Sequence, residues 1–109
     1  MAIATYAEVS TDRPSAYLKQ LCKHFRHRHD VTFSDTEGTM TFPFGACRLF
    51  AREGRLVLVG DAGDSDKVDY LERVIGGHLE RFGRGDALAV TWCRANHGLG
   101  AQEPRREPV

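Results

Sequence analysis

The sequence has no excess charge of either sign, no long apolar run, and few cysteines or prolines. Its 109 residues carry fifteen Lys and Arg against fifteen Asp and Glu, a formal net charge of +0 with histidine neutral. That balance argues against a uniformly basic nucleic-acid binder and against an acidic, solvating chain. No apolar stretch approaches the ~18 residues of a membrane span, and the first residues lack the apolar core of a signal peptide. A cytoplasmic protein without a membrane partner is expected. Cys22, Cys47 and Cys93 form no C-x-x-C pair. This excludes a zinc ribbon or thioredoxin-type motif, and the odd count argues for free thiols. There is no Walker sequence and no G-x-S-x-G elbow, and Gly83-Arg84-Gly85 lacks the third glycine of a dinucleotide loop.

What is present suits an ordinary folded domain: hydrophobic residues are 41% of a chain long enough for one modest core. Residues 3–10 alternate as a half-buried strand. Pro14 suits a first helical turn, and Tyr17, Leu18, Leu21, Cys22 and Phe25 then recur at helical spacing up to an end near His27. Four short strands are expected over 31–34, 39–44, 46–52 and 55–59, joined by acid-and-glycine turns in a meander. Pro43 cannot donate to a ladder, so Phe42-Pro43-Phe44-Gly45 marks an edge, bulge or tight turn.

Asp64 or Ser65 caps a second helix with the stripe Val68, Leu71, Ile75, Leu79 and Phe82. Gly76-Gly77 within it implies a bend or the close approach of another backbone. A last strand takes Leu88, Val90 and Trp92, and the tail from residue 95 is expected to be disordered. The expectation is a single α+β domain over 1–94, ordered β-α-β-β-β-β-α-β, with a mainly antiparallel sheet and both helices on one face.

Net neutrality conceals two opposed patches. Between Arg13 and His29 lie five Lys or Arg, three His and no acid, whereas 61–72 holds five acids against Lys67. His24 and His27, three residues apart, can face one ligand from a helix flank, and His29 can swing in. Neutral imidazoles bind transition metals such as Fe or Zn, with His29, His78 or Cys47 as further donors. A solvated basic helix end, favoured by the helix dipole, explains the same residues without a ligand; an anion site is a third reading. If the first β-α-β unit is a parallel crossover, the helices run antiparallel and their C-terminal ends lie at opposite ends of the sheet. On that geometry His78 lies far from His24.

Cys22 falls within its helix's apolar stripe and reads as a buried thiol. The acids of 61–72 fail the Ca²⁺-loop spacing and read as a solvated helix start. Phe42, Phe44 and Phe50 could form a stacking platform, although core packing accounts for at least the first two.

The run Tyr17-Leu18-Lys19-Gln20-Leu21-Cys22-Lys23-His24-Phe25 resembles the bacterial family known as domain of unknown function 2218. The likeness continues through Gly38, Phe42, Phe44-Gly45 and Cys47-Arg48-Leu49 to His78-Leu79-Glu80-Arg81-Phe82 and Val90-Thr91-Trp92. It spans about residues 3–94 and includes the positions of His24, His27, Cys47, His78, Phe82 and Trp92. It departs at Gly76-Gly77 and Gly83-Arg84-Gly85. The resemblance implies a small bacterial domain, stand-alone or fused, that occurs beside siderophore-interacting reductases and iron-uptake genes. It implies no catalytic residue. Together these readings favour a non-catalytic binding or accessory domain linked to iron or a siderophore, with a siderophore-related ligand or a reductase as partner. The alternative is an interaction or homodimerisation module docking through the basic first helix.

Overall fold

The computed structural model describes residues 2–95. The elements run β1 (Ile3–Ser10), α1 (Pro14–Phe25), β2 (Asp30–Phe33), β3 (Glu37–Phe42), β4 (Gly45–Arg52), β5 (Arg55–Ala62), α2 (Ser65–Phe82), a 3-10 turn (Arg84–Asp86) and β6 (Cys93–Ala95). Six strands form one sheet in the order β2-β3-β4-β5-β1-β6, and every neighbouring pair is antiparallel. The α+β class and the expected element order are both found. No helix among the described residues is long and apolar enough to cross a membrane.

Alternation decides which face of the sheet is covered. Thr5, Ala7 and Val9 of β1, Met40 and Phe42 of β3, Cys47 and Leu49 of β4, and Leu56 and Leu58 of β5 are buried beneath the helices. Both helices lie on that face, α1 toward β2 to β4 and α2 toward β5 and β1. Leu18, Leu21, Leu49, Leu58, Leu71, Ile75 and Leu79 are fully enclosed, and each such side chain contributes about 1.5–3 kcal/mol. Asp64 caps α2 by accepting a hydrogen bond from the Lys67 N–H at 2.8 Å. The turns are short. Phe42 pairs with Gly45, so Pro43 and Phe44 form a two-residue turn in which Pro43 needs no ladder bond. Arg52 pairs with Arg55 across a turn where Gly54 takes φ +75°.

Three expectations change. α1 stops at Phe25 rather than near His27: the N–H groups of Arg28 and His29 both bond the Phe25 carbonyl and turn the chain into β2. β5 continues to Ala62, past the expected 59, because it pairs with β1 and β4 along that whole length. Residues 88–92 form no strand and pair with none among the described residues. Their apolar side chains pack on the core beside α2, the Leu88 N–H bonds the Gly83 carbonyl, and the Val90 N–H bonds Glu80. A period of two reports a segment with one covered face, without saying what covers it.

The glycine pair causes no break, since α2 is continuous from Ser65 to Phe82. A Cβ at Gly76 would sit 3.0 Å from the Trp92 indole nitrogen, whereas one at Gly77 would meet nothing within 4 Å. The returning segment therefore occupies the space left by the first glycine. The tail expected from residue 95 lies outside the described residues, except for Ala95 at the end of β6.

Candidate functional site

The strand pairings give α1 and α2 opposite directions, and their contacts agree: Tyr17 meets Asp86, while farther along α1 His24 meets Phe82 and His78. The expected separation of His24 from His78 is nevertheless wrong. At 1.5 Å per residue the 18-residue α2 is about 27 Å long and the 12-residue α1 about 18 Å. α1 lies alongside only the C-terminal half of α2, so its last turn comes level with His78. The two imidazole centres are 4.7 Å apart, tilted by 42°.

Rings flank the pair on its inner side, while His24 keeps a solvent-exposed side and His78 is half-buried. His24 meets the edge or face of Phe25 at 5.0 Å and of Phe82 at 5.5 Å, and His78 meets Phe25 at 5.0 Å. Loss of water in this packing lowers the His24 pKa, and the charges of His78, His27 and Arg81 add to that effect. His78 Nδ1 lies 2.7 Å from the Val74 carbonyl. A carbonyl only accepts, so Nδ1 carries the hydrogen, and the neutral tautomer keeps its lone pair on Nε2. Two imidazoles from two helices thus stand side by side, one with a fixed tautomer.

Beside the pair an open-sided cleft of about 390 Å³ is lined by His24, Phe25, His27, Arg28 and His29. His27 is exposed in the turn after α1, so it does not share a helical face with His24. His29 is half-buried, its ring 4.6 Å from that of Phe42. The rings continue outward: Phe42 stacks on Phe44 at 4.8 Å, and Phe44 meets Tyr70 at 4.9 Å. Cys47 does not line the cleft. Its side chain faces the core, where burial pushes the thiol up to about 12, and Cys22 is likewise raised to about 11.

Of the sequence-derived candidates, His24, His27 and His29 share the cleft, His78 adjoins it through His24, and Cys47 stands apart. Among the described residues no group of three or more His, Cys, Asp or Glu could hold a metal ion. Phe44 and Tyr70 were not singled out together by the sequence. A signal was available on α2, where Tyr70, Val74 and His78 recur every four residues as a second stripe flanking the buried one.

The family model DUF2218, described as an uncharacterized protein conserved in bacteria, matches residues 6–93. No curated protein matches the chain. Among solved structures, the chain is similar to the NMR structure of PA4090 from Pseudomonas aeruginosa. The two are 26% identical with a TM-score of 0.70, over 85% of this chain and 96% of that one.

Proposed function

The chain belongs to the bacterial family DUF2218, and we propose that it is a non-catalytic binding domain whose ligand sits in the histidine cleft at the end of α1. One observation carries the reading: the His24 and His78 rings lie 4.7 Å apart beside that cleft. Imidazole nitrogens are good ligands for iron and zinc, but two of them do not complete a coordination shell. A metal at this pair would be held by His24 and by His78 Nε2, with its other donors coming from outside the described residues. That donor set suits a metal arriving in a chelator better than a resident ion. It supports an accessory role in iron or siderophore handling, with the chelate or the reductase that acts on it as partner.

Elemental analysis of protein purified without a His tag, followed by Fe and Zn titration with and without a chelator, tests the reading. The wild type is expected to bind and His24→Ala/His78→Ala to bind at least about tenfold more weakly. Equal binding by both would overturn it. A second reading, self-association, draws on Tyr70, which is 49% exposed and stands against Phe44 near the same cleft. Light scattering across ionic strength tests that reading. A monomer at every salt concentration would remove it.

A further inference from the structure

We infer that the cleft takes a small aromatic carboxylate, with its ring among Phe25 and the flanking imidazoles and its carboxylate on Arg28. The inference rests on the cleft being a ligand site and adds the chemical class of the ligand. Five side chains line it, His24, Phe25, His27, Arg28 and His29, and none is acidic. Arg28 is exposed and, among the described residues, makes no ion pair and lies over no ring. Its neighbour Arg26, by contrast, lies over the Phe33 ring. A planar guanidinium with its donors unengaged matches a carboxylate bidentately.

The rest of the wall selects a flat ring. Phe25 meets His24, Phe42 and His78 edge to face, and His29 meets Phe42 the same way. These contacts hold the aromatic edges in place before any ligand arrives, so little ordering is needed on binding. The volume of about 390 Å³ lies at the lower end of the range for small-molecule sites.

The negative end of the α1 dipole opposes an anion here. That opposition is reduced because the Cys22 carbonyl accepts from the Arg26 N–H and the Phe25 carbonyl accepts from the Arg28 and His29 N–H groups. A charge-assisted bond to Arg28 is stronger than what remains of the dipole.

Titration of the full chain with benzoate, benzamide and cyclohexanecarboxylate, followed by ring-proton NMR shifts of Phe25 and His29, tests the inference. Benzoate is expected to bind, with benzamide and cyclohexanecarboxylate each weaker by at least about tenfold. Arg28→Gln, a surface change checked by an unaltered thermal midpoint, is expected to weaken benzoate by a similar factor. Benzamide binding as well as benzoate, or Arg28→Gln binding like wild type, would overturn the inference, as would no benzoate binding. Metal titration of the wild type separates the two readings: metal binding without benzoate binding sinks this inference alone, and benzoate binding without metal binding sinks only the metal reading.

Discussion

The ring of His24, from the last turn of the first helix, stands 4.7 Å from that of His78 on the second. Packing and nearby positive charge hold the His24 pKa below the ordinary 6.5, so the unfolded chain takes up this proton before the folded one does. This contribution to stability is therefore complete above about pH 6.5, shrinks as pH falls below it, and levels off beneath the folded pKa. His24→Phe removes the proton and keeps a ring. Urea midpoints at pH 8 and pH 5 are expected to differ less for His24→Phe than for wild type; equal differences would contradict the assignment.

The two glycines of α2 are expected to respond differently to alanine. Gly77→Ala fills open space on a helix and should raise stability by about 1 kcal/mol. Gly76→Ala places a methyl 3.0 Å from the Trp92 indole nitrogen, so the indole must move and the helix gain is lost. Thermal melts read the first effect, and Trp92 fluorescence, shifted only in Gly76→Ala, reads the second.

Glu72 joins three elements. It accepts a hydrogen bond from the buried Thr5 hydroxyl at 2.7 Å and two from Arg94, each at 2.9 Å. Burial pushes its carboxyl up, but the Arg94 and Thr5 bonds outweigh this and hold it below the usual carboxylate range. Glu72→Ala leaves the Thr5 hydroxyl without this acceptor and should cost about 1–3 kcal/mol in denaturant unfolding. A loss below the error of the measurement would remove Glu72 from the supports of the fold.

The cysteines divide by exposure. Cys93 is exposed and should react with a disulfide reagent in the native protein, whereas Cys22 and Cys47 are buried and should react only on unfolding. Counting thiols before and after denaturant checks this; fast reaction of all three in the native state would place Cys22 or Cys47 outside the core.

Residues that obey a strong local rule were legible in the sequence. β1 over Ile3–Ser10 and α2 over Ser65–Phe82 match their expected bounds, because an unbroken alternation and an acidic cap before a clean apolar stripe depend on little else. The antiparallel course of the helices was also accessible from topology. Their stagger was not, because it depends on how far α2 extends past the end of α1, and this is why His78 looked remote from His24. The role of residues 88–92 was hidden for a related reason: Leu88, Val90 and Trp92 alternate like strand residues but pack beside α2. His27 shows how narrow the margin is, since ending α1 two residues sooner removes it from the helical face of His24.

α1 is held at both extremities. At its start Arg13 and the Tyr17 hydroxyl bond the Asp86 carboxylate, and at its finish the exposed His24 ring rests against His78 and Phe82. A rod fastened at two points can neither slide along its neighbour nor swing about one end without releasing a fastening. Beyond the second fastening the short segment 26–29 supplies His27, Arg28 and His29 to the cleft, and its backbone is tied to the Phe25 carbonyl. The helix and the half-buried His29 ring provide a fixed wall, so only the exposed side chains of His27 and Arg28 are left to adapt to a ligand while the core stays as it is.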